Sequence, residues 1–425
     1  MTYKAVKVML IPNNWQKTRL FQYAGTARFA YNWALAKEME SLRNGNGLIS
    51  DHDLRKEFTQ LKKQEDYRWL NDVSNDVPKQ AIKDLVNAYL RYFKERKKPG
   101  YKPYTKKQIV HAKRIGKILT EYDRQKHPKF KNKKNMNHSK FYNDTHKLEF
   151  TEKAVRISAL YKRGNRKRQA RKSFIKMAER NRIPISGVKY NNPRVSYDGL
   201  NWWISVALEG GSRLEQTYVA ESDGLGIDVG VKDLAILNDG TKFPNINKTK
   251  LIKKCEKKKR RIQRSISRKY EINKKGKSYH KTDNIIKSEK TLLTLTKRLT
   301  NIRHEHRNRT ILEIINRKPK FMCLEDLNVS GMLKNKYLSK AVQDQGLREF
   351  RNLMEYRAKD RSIPLILADR WYPSTKRCSC CGCIKTDLKL KDRIYKCNEC
   401  GHIEDRDVNS GKNLYAYGKL ALADF

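Results

Sequence analysis

Long apolar runs are missing from this sequence. No stretch approaches the ~18 apolar residues that a membrane-spanning helix needs, so a membrane partner is not expected. The opening MTYKAVKVMLIP alternates and carries lysines inside, which suits a strand and not a secretory leader. Acids are the second shortage. Aspartate and glutamate number 45 against 95 lysines and arginines, a formal charge of +50 on 425 residues. A compact fold with that self-repulsion needs a polyanion, and nucleic acid binding gains from each counterion released. Cysteine is scarce outside one stretch, since six of the eight fall between 378 and 400. In the cytosolic, reducing setting expected for a chain without a leader, such a cluster reads as a metal site and not as a disulfide framework. Internal repeats are absent, and no tyrosine or serine nucleophile motif calls for a strand-joining transposase.

The half before Asp223 reads as a strand, a helical region and basic connections. Residues 3–11 alternate, and from about Gln16 to Tyr92 the pattern turns helical. Phe21, Phe29, Trp33 and Leu35 mark one stripe; Ile82, Leu85, Ala88, Tyr89 and Tyr92 mark another, after Pro78 near a helix start. Core packing explains these aromatics better than base stacking. From Lys94 to Lys147 the chain is basic, Pro-punctuated and poor in apolar residues, so loops or RNA-contacting linkers are expected. A second basic run spans 160–183, with Arg166, Arg168 and Arg171 as candidate phosphate contacts. RVSYDGLNWWISVAL reads as a hairpin with Trp203, Ser205 and Ala207 on one face.

After Asp223 the pattern becomes α/β. GLGIDVGVKDLAILNDGTKF gives strand, tight turn, strand, Asn-Asp-Gly turn and strand. A charged helical region follows to about 316. Its residues 253–269 hold ten basic residues and one acid, with Lys258, Arg260 and Arg264 as further candidate contacts. Leu292, Leu295, Leu299 and Ile302 mark the stripe of an antiparallel helix pair. KFMCLEDL and PLILADR read as buried strands around an amphipathic helix through Leu347, Phe350, Leu353 and Met354, which points to parallel strand pairing. Basic runs interleaved with Tyr and Phe favour a phosphate-tracking groove.

The strongest motif is CSCCGCIKTDLKLKDRIYKCNECG. Cys378-x-x-Cys381 and Cys397-x-x-Cys400, each followed by glycine, match the spacing of a four-cysteine zinc ribbon. Cys380 and Cys383 offer a second register; the Cys-x-x-Cys-Gly match of the later pair favours 378 and 381. So short a ribbon is folded by its zinc. Three acidic positions stand apart from it. Asp228 sits within a strand whose Leu225, Ile227 and Val229 face the other way. Glu325, with Asp326, ends an apolar strand. In EDRDVNSGKN, Asp405 or Asp407 can open a helix through Leu414 and Tyr417, one of them serving as its N-cap. Hard carboxylate oxygens suit magnesium, and two such ions can clamp a phosphodiester.

Taken together, GIDVGVKDLAILNDG, CLEDLNVSGM, the DRWYPSTKRCSCCG…CNECGHIEDRDVNSGKN stretch and the N-terminal IPNNWQKTRLFQYAGTARFAYNWALA closely resemble transposon-encoded TnpB proteins, relatives of the compact type V CRISPR effectors. The resemblance implies an RNA-guided DNA endonuclease. Its metal-dependent site would use Asp228, Glu325 and Asp407 to hold a pair of Mg2+ ions, while Asp405 and Asn409 support them and Cys378, Cys381, Cys397 and Cys400 hold one structural Zn2+. It implies a guide noncoding RNA, one protein per guide, and double-stranded target DNA beside a short motif read by protein, in a prokaryotic cytoplasm. Lys79 and Gln80 would face that motif, since Gln can pair bidentately with adenine. The implied fold is α+β and multidomain. Residues 1–12 and 121–220 would form a barrel-like wedge, 13–120 a helical recognition lobe with a basic linker, 221–376 and 404–425 a split RuvC/RNase H-like nuclease, and 377–403 an inserted zinc ribbon. All three acids are present, which argues against a repressor that binds without cutting. The family usually has NAARN where this chain has NSGKN, and Gly411 should weaken the last helix by ~1 kcal/mol relative to alanine.

Overall fold

The computed structural model describes residues 3–133, 139–158, 160, 171–209, 218–276, 278–389 and 392–423. The fold is mixed α/β and divides into two compact units, Met1–Ser212 and Arg213–Phe425. Among the described residues, no helix is long and apolar enough to cross a membrane.

In the first unit, β1 (Tyr3–Ile11) buries Val6, Val8 and Leu10 on one face, as its alternation requires. It joins β2 (Lys140–Tyr142), β3 (Glu149–Phe150), β4 (Ala154–Arg156), β5 (Phe174–Met177), β6 (Lys189–Tyr197) and β7 (Trp202–Glu209) in an antiparallel seven-stranded sheet of order β2-β6-β7-β1-β5-β4-β3. The expected hairpin is the β6–β7 pair. Asp198 closes its turn by accepting from the N–H groups of Leu200 and Asn201 at 3.0 and 2.8 Å, with Gly199 at φ +92°. Trp202, Ile204, Val206 and Leu208 are buried, leaving Trp203, Ser205 and Ala207 on the opposite face.

The helical stretch of this unit is three helices, Asn14–Arg43, Asp51–Leu61 and Asp76–Arg96. The first starts at a reciprocal cap, in which Gln16 N–H donates to Asn13 Oδ1 at 2.8 Å and Asn13 N–H to Gln16 Oε1 at 3.1 Å. Leu35, Ile82, Leu85, Tyr89 and Tyr92 enter one core with the sheet residues, and Phe29 and Trp33 pack on it. Phe21 remains exposed, with its ring edge-on to Tyr197 and Trp202 at 5.0 Å. Residues 94–147, expected as loops, contain a helix at Lys106–Arg114. Its signal is Thr105-x-x-Gln108, which forms a second reciprocal cap.

The second unit is built on a five-stranded sheet. Its strands are β8 (Leu225–Val229), β9 (Asp233–Leu237), β10 (Lys242–Pro244), β13 (Met322–Glu325) and β14 (Leu365–Ala368), in the order β10-β9-β8-β13-β14. β8, β13 and β14 run parallel, and β9 and β10 are antiparallel additions. Parallel strands need crossover connections. The one from β10 to β13 holds the helices Lys250–Ile272 and Asp283–Asn316, joined by the small hairpin β11 (Lys274–Lys275) and β12 (Ser278–Tyr279). These helices are antiparallel. Arg303 reaches Glu256 at one end at 3.0 Å, Tyr270 donates to Glu289 near the other at 2.7 Å, and Ile252, Cys255, Leu295 and Leu299 fill the seam. The helix Leu347–Asp360 links β13 to β14 and buries Leu347, Phe350 and Met354. A hairpin of β15 (Ile394–Lys396) and β16 (Ile403–Asp405) leads directly into the final helix, Arg406–Ala423.

That helix crosses β8 at glycines. A Cβ on Gly226 would stand 2.0 Å from Gly411 O and 2.3 Å from Tyr415 N; one on Gly411 would stand 3.0 Å from Asn238 N. Gly411 is therefore what lets the last helix lie against the sheet. Its cost in helix propensity, read from the sequence as a weakness, is offset by that approach.

Candidate active site and metal centre

The alternation of β8 puts Leu225, Ile227 and Val229 in the core and turns Gly226 and Asp228 to the face under the last helix. Gly226 takes the helix backbone, and Asp228, one pleat further along, meets helix side chains. Ser410 Oγ–H donates to Asp228 Oδ1 at 3.2 Å. Glu325 ends the adjacent parallel strand β13 and is bonded to the hydroxyls of Ser374 and Ser410. Asp407 lies in the first turn of the helix, buried to 9% exposure, with Arg406 on its Oδ1 at 2.8 Å and Arg393 at 3.7 Å from its Oδ2. Burial, then the charges of Glu325 and Asp407, push the Asp228 carboxyl well above the ordinary carboxylate range; Ser410 pulls it back only in part. Burial also raises Glu325, against the two serine hydroxyls.

The structure thus brings Asp228, Glu325 and Asp407 to one place from three separate elements. Asp405 stands differently. Its Oδ1 accepts from the N–H groups of Asp407 and Val408 at 2.9 and 3.4 Å, which caps the helix, and its Oδ2 takes Lys242 Nζ at 2.7 Å. Burial alone would raise its carboxyl, but Lys242 and the cap N–H groups outweigh that and hold it below the usual range. Asp326, beside Glu325, is paired with Arg351 and Arg370. Ser374 and Ser410 were missed as site residues. Ser410 had a usable signal, one turn beyond Asp407 on the same helix face; Ser374 had none.

Cys378, Cys381, Cys397 and Cys400 place their sulfurs within 4.8 Å of one another, the only such compact group of candidate ligands among the described residues. The first register therefore holds, and Cys380 and Cys383 stay outside it. Cys378 to Cys400 is 3.7 Å and Cys381 to Cys397 is 3.5 Å. Tetrahedral thiolates at the ~2.3 Å zinc–sulfur distance stand about 3.8 Å apart, so the set is compatible with structural zinc. The spacing is far beyond a disulfide's ~2.0 Å. Gly382 and Gly401 take φ +78° and +69°, the left-handed turn after each pair.

Two asparagines join this knuckle to the last helix. Asn409, fully buried, donates to Arg377 O at 2.7 Å and accepts from Ser379 N–H at 2.9 Å. Asn413, one turn later, donates to Ser374 O at 2.8 Å and Arg377 O at 2.6 Å.

The remaining nominated residues are scattered. Lys258, Arg260 and Arg264 are exposed on the helix Lys250–Ile272, on the side away from Ile252, Cys255 and Ile266. Lys79 is exposed; Gln80 is half-buried and donates to Asp84 at 2.9 Å, which Arg194 grips with both guanidinium nitrogens. Arg171 is exposed, and Arg166 and Arg168 lie outside the described residues.

Comparison with known proteins agrees with both ends of the chain. A family model described as "Cas12f1-like, TNB domain" matches residues 348–414, and a helix-turn-helix domain model of the OrfB/IS605 type matches residues 1–47. Here the latter segment forms β1 and one uninterrupted helix. Two curated relatives align over nearly the whole chain. One, from Streptomyces pristinaespiralis, is 26% identical over 99% of this chain and 90% of its own length. The other, InsQ of Escherichia coli (strain K12), is 26% identical over 99% and 93%. Each is named "Putative RNA-guided DNA endonuclease". A mimivirus TnpB-like protein, L79, is 28% identical over 47% of this chain and 38% of its own length. Among solved structures, a Cas12f1–sgRNA–target DNA complex aligns at TM-score 0.32 and 15% identity over 98% of this chain and 99% of that one. The chain is thus similar at its N-terminus to proteins of the OrfB/IS605 type and over about half its length to TnpB-like proteins.

Proposed function

We propose that this chain is an RNA-guided DNA endonuclease whose catalytic carboxylates are Asp228, Glu325 and Asp407. The observation that carries the reading is their convergence inside a protein of charge +50. Burial, then the charges of Glu325 and Asp407, push the Asp228 carboxyl towards its neutral form, and ionising it is costly unless cations fill the site. An all-oxygen donor set fits magnesium. Bound there, a pair of magnesium ions would supply charge stabilisation at the attacking and leaving oxygens of a phosphodiester. The chain's own part is placement. Ser410 and Ser374 orient Asp228 and Glu325, the Asp405 cap fixes the turn that carries Asp407, and Asn409 and Asn413 anchor that helix to the cysteine knuckle.

The names of the full-length relatives support RNA and DNA as partners. In this reading the chain binds one guide RNA per protein and cuts double-stranded DNA beside a motif that it reads itself. Lys258, Arg260 and Arg264, none with an ion-pair partner among the described residues, would contact phosphates, as would Arg171. Residues 221–376 and 404–425 would be the split RuvC-like nuclease, 377–403 its zinc ribbon, 13–120 a recognition lobe with Lys79 and Gln80 at the motif, and 1–12 with 121–220 the wedge.

The test is cutting of a matched duplex, with the copurified RNA sequenced to define the match. Wild type should cut with magnesium. Asp228→Ala, Glu325→Ala and Asp407→Ala should each bind the duplex normally and lose cutting nearly as completely as the triple variant, because residues that act as a unit are not additive. Undiminished cutting by all three would place the chemistry elsewhere, and guided binding without cutting by wild type would leave a binder.

A further inference from the structure

Trp371 has no packing role in the fold. It is 86% exposed, although burying an indole is among the larger gains open to a side chain. Nor does it sit on a loose turn. Trp371 N–H donates to Asp369 Oδ1 at 2.8 Å, Tyr372 N–H to Asp369 O at 3.0 Å and Ser374 N–H to Tyr372 O at 2.8 Å. Tyr372 points the other way; its ring packs on Tyr417 at 4.8 Å, and its hydroxyl donates to Asn413 O at 3.2 Å. The turn is anchored from inside while it holds the indole outside, and its inner end is Ser374, bonded to Glu325.

The same indole lines a cavity of about 540 Å3 that also borders Glu325, Arg370, Lys376, Lys389 and Arg406. Lys376 and Lys389 are exposed there. A flat apolar ring, exposed lysines and the end of an acidic site line it together, with Asp326 there paired to Arg370. Ring and cations together match an unpaired nucleic-acid strand, which offers free base faces and phosphates. A double helix has its bases already stacked and offers no free base face to the ring.

We propose that Trp371 is the stacking platform for one base of the DNA strand entering the carboxylate site, with Lys376 and Lys389 facing that strand's phosphates. The inference rests on the nuclease reading. Trp371 positions the strand and takes no part in bond breaking.

The experiment compares single-turnover cutting by saturating guide-loaded protein on intact duplexes and on duplexes with single abasic sites near the cut. Because the residue is exposed, Trp371→Ala should fold and bind the matched duplex as wild type does. A base–aromatic stack of ~1–3 kcal/mol corresponds to a slowing of roughly five- to 160-fold. Trp371→Phe should recover most of the rate. One abasic position should slow wild type by the same factor and leave Trp371→Ala no slower. Wild-type cutting by Trp371→Ala, or abasic effects that simply add to the mutation, would overturn the proposal. A second measurement separates it from the nuclease reading. Oligo-dT added to guide-loaded Asp228→Ala protein should quench part of the tryptophan emission, and that part should vanish in the Asp228→Ala, Trp371→Ala double variant. An unchanged quench would overturn the stacking role whether or not wild type cuts, whereas absent cutting by wild type with the expected quench would count against the nuclease alone.

Discussion

Cys378 and Cys381 are three residues apart, as are Cys397 and Cys400, whereas Asp228, Glu325 and Asp407 are separated by 97 and 82 residues. The cysteine cluster is made by two local turns, each ending in a left-handed glycine; β15 and β16 flank the second, and Tyr395 donates to Lys376 O at 3.2 Å beside the first. The carboxylate cluster exists only where two parallel strands and a helix cross. The contrast extends to charge. Thiolates around a metal neutralise it and hold their own fold together, while the carboxylates repel one another and are held against that repulsion by the rest of the unit. A local site stabilises its surroundings; a site assembled from distant elements draws on them.

The most severe way to break this contrast is Cys397→Ser. It should lose most of the bound zinc, because the knuckle's fold depends on four ligands. Since Asn409 and Asn413 fasten the Asp407 helix to the knuckle backbone, cutting should also fall by about 10–100-fold, the range seen when residues supporting a site are lost. Metal analysis and a cleavage assay on one preparation check both, and a full zinc equivalent would refute the ligand set. Asn409→Ala attacks the link alone. It leaves Ser379 N–H without its buried acceptor, at about 1–3 kcal/mol. Zinc content should stay at wild type while cutting drops severalfold, and wild-type cutting would show that the knuckle and the acids are independent.

Asp228→Asn tests the cost of burying this carboxyl beside two other acids. Because the folded Asp228 carboxyl is raised, the native state holds its proton more tightly than the unfolded chain, so metal-free stability falls as pH rises from about 4 through the raised value. The amide removes that loss. Its Tm without metal should exceed wild type by about 2–4 °C at neutral pH, the effect of about 1 kcal/mol in a unit of this size, and the difference should vanish near pH 4. Calorimetry in chelator would contradict the strain if the two proteins melted together at every pH. The mildest change is Asp405→Ala, which removes a helix cap worth ~1 kcal/mol. It should lower Tm by a few degrees and leave cutting within severalfold. A dead Asp405→Ala beside an active Asp407→Ala would move the third carboxylate by two residues.

Much of this was legible before the structure. Period-two alternation located β1, β6, β7 and β8, and the Leu295–Leu299 stripe located the helix pair, because side-chain direction follows from backbone geometry. Asp228 stood out because an acid sat on the wrong face of an apolar strand. The helix Lys106–Arg114 was hidden by its lysines, although its cap Thr105-x-x-Gln108 was in plain view. Ser374 could not be found, since its partner Glu325 is 49 residues away and nothing in Pro-Ser-Thr marks a contact at that range.

By itself the sequence determined the element types, the four-cysteine knuckle with its glycine turns, and which acids end apolar strands. All of these depend on neighbours a few residues away, where bond geometry leaves little choice. Only the tertiary structure decided that Gly226 and Gly411 let the last helix lie on β8, and that Ser374 and Ser410 hold the acids. Those outcomes depend on where elements far apart in the chain cross, and the packing of the whole unit sets that.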